Sequence, residues 1–388
     1  MGMNISAASS AKQTGMTCGA APASAVPRCP SGRRSTNSRS SFEIMSQPMP
    51  FDPGGRPAIF GPEDSAHGED VMDFGFAWFT RGPMANAEGL KTLAAAGERL
   101  GYSYMLVPDH VVIPTQIDST YPYSPDGSFP GTATGECMDQ LTAIAFAMAA
   151  TTKLRMLTSV MVVPHRPALL TAKIIATIDQ LSNGRITIGC GAGWMEEEFE
   201  ALQVPPYDER GAVTDEYLEV FRTVWTSEQA SFHGKYVRFD NVGTRPLPVQ
   251  KPHPPLWIGG ESAPALKRVV SHGDGWYPIG NNPKFPLDTH ARIAKRLERL
   301  KGFADEAGRD MSTIDLAYWS HWNTIGEEVK NKDGERMILT GSAATVAEDV
   351  ARLKEAGFNH LMLNLAARDA ANSIGRMEQF MADVVAKA

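Results

Sequence analysis

The sequence is poor in the residues that staple a fold or ligate a metal. Cys18, Cys29, Cys137 and Cys190 are the only cysteines in 388 residues. None forms a C-x-x-C pair or joins a histidine cluster at ligand spacing, which argues against a disulfide framework and against a structural metal. No apolar run approaches the ~18 residues that a spanning helix needs. Basic residues are in deficit, with a net charge of −7, and such a surface suits neither nucleic acid nor a charged membrane. G-x-S-x-G and H-E-x-x-H are both missing, so a serine-hydrolase elbow and a zinc-peptidase helix are excluded. These absences leave a reduced, cytosolic enzyme acting on a small molecule as the expectation.

The amino-terminal stretch is unlike the rest. Residues 1–42 carry Lys12, Arg28, Arg33, Arg34 and Arg39, and no acid precedes Glu43. Basic, acid-poor, Ser-rich composition is typical of organelle transit peptides. The plainer reading is a start assigned too far upstream, with Met45 or Met49 as the true beginning. Residues 1–70 are therefore expected to be a disordered extension or a mis-assigned start, and residues 71–388 the folded domain.

From residue 71 strands alternate with helices. "VMDFGFAW", "YSYMLVP", "LRMLTSVMVVP" and "RITIGC" read as the first four strands, and "LWIGG", "DGWYPIG", "TIDLAYWSHW" and "FNHLMLNL" as the second four. The intervening helices are punctuated as helices should be. One has Pro167 at its start and Gly184 past its end, and another has Ser342 as N-cap and Gly357 as terminator. Alternation of this kind requires a parallel sheet, and eight repeats suit a (β/α)₈ TIM barrel. Two elaborations are expected: a lid loop after the second strand and a Pro-rich, hairpin-like insertion before the fifth. The competing doubly wound fold would need a Gly-rich phosphate loop after its first strand, where "FTRGPMA" stands instead.

Barrel chemistry sits where strands end. The second strand ends in Asp109-His110. A histidine there suits acid–base work near neutral pH, and the aspartate could fix its tautomer or touch a cofactor ring. The blander alternative is a loop cap beside a histidine that satisfies a barrel carbonyl. The loop from Val112 to Cys137 holds Tyr121, Tyr123 and Phe129, either as a cover over a planar ligand or as a loop packed on itself. The fourth strand ends in "GCGAGW", where Gly191 and Gly193 allow close approach of a ligand. The "EEEF" that follows reads as a solvated acidic helix start. The fifth strand leads through Gly259, Gly260, Glu261 and Ser262 into a helix. That is an anion site with Ser262 as donor if Glu261 points away, and otherwise a tight turn with a Ser N-cap.

Together "YMLVPDHV", "TSVMVVPHRPALLTAKIIATIDQLSNGRITIGCGAGWMEEEFEAL", "RPLPVQKPHPPLWIGGESAPALKR" and "GDGWYPIG" resemble the bacterial luciferase-like superfamily of flavin and deazaflavin enzymes, over residues 72–388. The resemblance implies a barrel holding a flavin-type ring at its strand ends. It implies His110 acting beside the substrate with Asp109 lining the site, and a non-prolyl cis bulge at Ser159-Val160 behind the ring. It also places Gly259, Gly260 and Ser262 at the cofactor phosphate. Luciferase proper has an arginine in the fourth-strand loop that helps hold the FMN phosphate, and Ala192 stands there. The reading leans accordingly to coenzyme F420 and hydride transfer to or from a small organic substrate. The alternative is an FMNH₂-dependent two-component monooxygenase using O₂ and fed by a separate reductase. Some deazaflavin dehydrogenases carry a glutamate where Trp194 stands, which argues against a sugar-phosphate substrate. A flavin-binding protein without turnover is the rival from another class. Members of the superfamily are often homodimers.

Overall fold

Short apolar runs bounded by helix caps dictate the element order of the computed structural model, which describes residues 72–130 and 135–387. The expectation for residues 1–70 lies outside the described residues. The first half contains β1 (Asp73–Ala77), α1 (Ala87–Leu100), β2 (Tyr104–Val107), α2 (Gln140–Ala149), β3 (Arg155–Val162), α3 (Ala168–Ser182) and β4 (Ile186–Gly191). Then follow α4 (Glu196–Leu202), α5 (Arg210–Thr226), β5 (Gln229–His233), β6 (Arg238–Gly243), β7 (Leu256–Gly259), α6 (Ala263–His272) and β8 (Gly275–Tyr277). The chain closes with α7 (His290–Ala307), β9 (Asp315–Ser320), β10 (Thr324–Ile325), β11 (Thr340–Gly341), α8 (Ala343–Glu355), β12 (His360–Leu363) and α9 (Ala370–Asp383).

The barrel closes in the order β1-β2-β3-β4-β7-β8-β9-β12. All of its neighbours are parallel, as the alternation requires. β2 and β12 are buried at every residue, because helices cover one face and the lumen the other. Tyr104, Leu106, Leu157, Trp257, Tyr277, Trp319 and Met362 form the lumen cluster, separate from the larger cluster beneath the helices. β5 and β6 make the antiparallel hairpin foreseen before the fifth barrel strand.

Gly184 lies past the end of α3 at φ 80°, as read from the sequence, and Asn183 before it takes the left-handed C-cap at φ 55°. Asn tolerates that region because its side chain can bond locally. The short parallel pair β10–β11 lies between β9 and α8, in a stretch too brief and polar to show a period. No described helix is long and apolar enough to cross a membrane.

One carboxylate fastens the helical layer to the approach of β3. Glu98, near the end of α1, accepts from the backbone N–H groups of Thr152, Lys153 and Leu154 and from the Thr152 hydroxyl, at 2.7–3.1 Å. Burial pushes its pKa up, but those donors outweigh it and bring it down to about 2 from 4.5. A depressed carboxyl stabilises the fold above its unfolded pKa, and that contribution is lost as pH falls through the folded one. Glu98→Gln is therefore expected to destabilise the protein at pH 7 in urea unfolding. The penalty should shrink between about pH 4.5 and pH 2. A penalty independent of pH would show that the charge is not what matters.

Candidate active site

The strand ends open into a cleft of about 1610 Å³. Asp109 and His110 reach it from β2, Ser159 and Val160 from β3, Gly191 and Gly193 from the β4 end, and Gly259, Gly260 and Ser262 from the β7 end. The structure thus brings together every site residue anticipated from the sequence. Their partners assign them different tasks.

Asp109 does not orient His110. Its buried carboxylate accepts both arms of Arg166, at 2.8 and 2.9 Å, and the Val162 backbone N–H at 3.0 Å. A bidentate guanidinium and a backbone donor occupy the oxygens, so the pair ties the end of β2 to the end of β3. The orienting group is Glu198, in α4. Its Oε2 lies 2.7 Å from His110 Nδ1, and its Oε1 accepts from Val111 N at 2.8 Å and Val112 N at 3.2 Å. A carboxylate acceptor makes Nδ1 the protonated nitrogen. That leaves Nε2 without a partner among the described residues. His165 lies on the other side, with Nδ1 3.6 Å from Glu198 Oε1 and its ring edge-on to Phe199. Burial lowers its pKa, so it packs as a neutral ring.

The "EEEF" segment is therefore no solvated helix start. Glu198 is fully enclosed, and Glu197 accepts from the lid backbone at Asp118 N (2.7 Å) and Ser119 N (2.8 Å). Only Glu196 is exposed. A single turn of helix grips both the strand end and the lid.

The wall between β3 and β7 is flat for a steric reason. The Ser159–Val160 peptide is cis, where the β3–β4 register shifts. A Cβ at Gly191 would stand 2.6 Å from Val160 Cγ2, and one at Gly259 would stand 3.1 Å from Val160 Cγ1. A side chain at Gly191 would collide with Val160 and one at Gly259 would crowd it, and the backbone surface so exposed suits a planar ring. Ser159 Oγ and the Tyr277 hydroxyl are 2.9 Å apart behind it.

The turn after β7 leads directly into the N-terminus of α6. Gly260 has φ 103°, and its carbonyl accepts from Trp276 Nε1 at 3.0 Å. Glu261 points away, as an anion site demands: its carboxylate accepts from Ile279 N at 2.8 Å and Asn282 Nδ2 at 2.6 Å. Ser262 is also the N-cap of α6, its Oγ accepting from Ala265 N at 3.4 Å, and its O–H remains a donor. The sequence reading missed the cation here. Arg210 lines the same cleft, stacked on Tyr207 with Cζ 3.8 Å from the ring centroid.

Over the mouth, Tyr121 and Phe129 of the lid pack on Trp194, with centroids 5.0 and 5.3 Å apart, and Phe129 stands 5.0 Å from the His110 ring. The lid both packs on itself and covers the cleft. Residues 131–134 of this loop are outside the described residues.

The sequence pattern described as "Luciferase-like monooxygenase" matches residues 72–321. An uncharacterised protein of Mycobacterium tuberculosis (strain H37Rv) is 29% identical over 315 residues, covering 80% of this chain and 98% of that one. An FMNH₂-dependent dimethylsulfone monooxygenase of Pseudomonas putida is 33% identical over 194 residues, 50% of this chain and 48% of that protein. An F420-dependent secondary alcohol dehydrogenase, solved with an F420-acetone adduct, shares the fold with TM-score 0.61 and 19% identity, covering 81% of this chain and 99% of that one.

Two outcomes follow from the polar network. Glu198→Ala strands the Val111 and Val112 N–H groups, and a loss of about 3 kcal/mol of stability is expected in denaturant unfolding. Glu198→Gln should cost less, because the amide oxygen still accepts from them; equal losses would contradict this division of roles. Burial raises Glu261 to about 7 from 4.5, against the pull of Ile279 N–H, Asn282 and Arg296. A raised acid favours the folded state in its protonated form, so this group makes stability fall as pH rises from 4.5 to about 7. Glu261→Gln should flatten the thermal midpoint across that range, and an unchanged slope would reject the assignment.

Proposed function

The chain belongs to the luciferase-like monooxygenase family, and on that premise we propose that it is a coenzyme F420-dependent oxidoreductase acting on a small organic substrate. The observation that carries the reading is His110: Nδ1 is bound to a buried carboxylate while Nε2 remains open on a cleft walled by glycine backbone. Bound F420 gives or takes a hydride. The chain's own residues do the rest. Ser159, Val160, Gly191, Gly193, Gly259 and Gly260 back the ring. Ser262, the first N–H groups of α6 and Arg210 meet the phosphate, where a helix N-terminus and a guanidinium act together. His110 Nε2 gives or accepts the substrate proton, and Asp109 holds the β2–β3 corner. The lid aromatics exclude water from the transfer.

A second reading, the FMNH₂-dependent monooxygenase, has its own support. Arg210 supplies a cation in the same cleft even though Ala192 does not, and the dimethylsulfone monooxygenase is a relative. That reading would require a separate reductase as partner. Under either reading the apolar Phe146 of α2 and Leu170 and Leu181 of α3, all exposed, suit coverage by a second copy as a homodimer.

Parallel fluorescence titrations with F420 and FMN test the cofactor. Tighter F420 binding without substrate-dependent oxygen uptake supports hydride transfer, whereas tighter FMN binding with oxygen uptake supports the monooxygenase. His110→Ala should lower turnover by about 100-fold or more while leaving cofactor affinity within a few-fold. Unchanged turnover would remove His110 from the chemistry. Arg210→Gln should weaken FMN by about ten-fold and leave riboflavin, which lacks the phosphate, unaffected.

A further inference from the structure

We infer that Arg81 anchors a carboxylate of the substrate, so that the substrate class is small organic acids whose apolar body lies along Phe129 and Trp194. The inference rests on reading the cleft as an active site with its cofactor against the Val160 wall.

Arg81 follows β1, in the "FTRGPMA" turn, and its guanidinium lines the cleft. Other partly buried arginines have their donors engaged: Arg166, Arg268, Arg292 and Arg336 pair with Asp109, Asp215, Asp288 and Asp349, while Arg155, Arg185, Arg210 and Arg296 donate to carbonyl or neutral side-chain oxygens. Arg81 has no hydrogen bond or ion pair among the described residues. Its contact is the Phe129 ring, 4.7 Å from Cζ to centroid. Burial pulls its pKa down, and the groups that oppose this are the Tyr121 phenol and the Cys137 thiol rather than any carboxylate. The half-buried guanidinium keeps its planar fork of donors open on the cleft, where a planar carboxylate would match it.

The group is also held in place. Trp78 Nε1 donates to Met84 O at 2.9 Å, Ala85 N to Gly82 O at 2.9 Å, and Met138 N to Thr80 O at 2.9 Å. The turn is thereby pinned on both sides of Arg81. Its position separates it from the phosphate cradle. In the ring β1-β2-β3-β4-β7-β8-β9-β12, β1 lies diametrically across from β7, whose turn carries Ser262. The face of Phe129 that Arg81 covers belongs to the ring that also neighbours His110, at 5.0 Å between centroids. The anchor and the proton-transfer residue thus share one aromatic wall. A planar fork meeting a planar carboxylate, with apolar rings beyond, selects an organic acid over a neutral analogue.

The test uses the full chain with F420 or FMN bound and follows quenching of tryptophan fluorescence by benzoate and by benzamide, its uncharged isostere. Benzoate should bind about ten-fold more tightly or better. Arg81→Gln should erase that preference while leaving benzamide and cofactor affinities unchanged, and Arg81→Lys, which keeps the charge without the fork, should restore part of it. A benzoate preference that survives in Arg81→Gln overturns the inference, as does equal binding of the two probes by the unaltered protein. Weakened cofactor binding in Arg81→Gln would assign Arg81 to the cofactor and overturn it equally. The same titrations on cofactor-free protein separate the two readings. Failure of both cofactors to bind sinks the proposed function, whereas the Arg81-dependent benzoate preference is read independently of it.

Discussion

The mouth of the barrel depends on one enclosed carboxylate. Glu198 sits in a place where a charge costs several kcal/mol unless its oxygens are met. The groups that meet them are the backbone of Val111 and Val112 and the ring of His110. Each is at the end of β2, so the carboxylate sets both the position of the strand end and the tautomer of the histidine. Because Glu197 on the same turn bonds the lid backbone, lid placement and histidine placement are mechanically one problem. The Asp109–Arg166 pair completes the corner by tying β2 to β3.

Around this corner the rim is divided by charge. The β2–β3 side carries His110, the proposed acid–base group. The β4–β7 side carries glycine backbone, a helix N-terminus and Arg210, a combination that favours an anion. The β1 side carries Arg81 under the aromatic lid. The middle is kept flat because a side chain at Gly191 would collide with Val160 and one at Gly259 would crowd it. A barrel supplies this arrangement naturally, since each βα loop contributes one function and the strands hold the loops at fixed spacing.

Much of this was legible in the chain. Strand–helix alternation, Pro and Gly punctuation and the lack of a phosphate loop after the first strand pointed to the barrel, because these are local signals with fixed periods. The site residues at strand ends were legible for the same reason. A signal for Arg166 was also present: "VPDH" and "VPHR" end consecutive strands with matching polar doublets, and those doublets face each other as Asp109–Arg166 and, through Glu198, His110 with His165. Glu198 itself was misread, since an acidic run at a helix start looks solvated whether or not one member turns inward.

The parallel barrel, the hairpin before its fifth strand and the candidates at its rim follow from the chain alone, because hydrophobic period and turn chemistry act between near neighbours. Only the tertiary structure decided who serves whom. Asp109 and His110 are adjacent in sequence yet answer to Arg166 and Glu198, which lie 57 and 88 residues further along the chain. Arg81 is an ordinary turn residue until the fold sets it against the Phe129 ring with no ion pair among the described residues. Pairing of buried charges depends on distances in space, and those distances exist only once the barrel has closed.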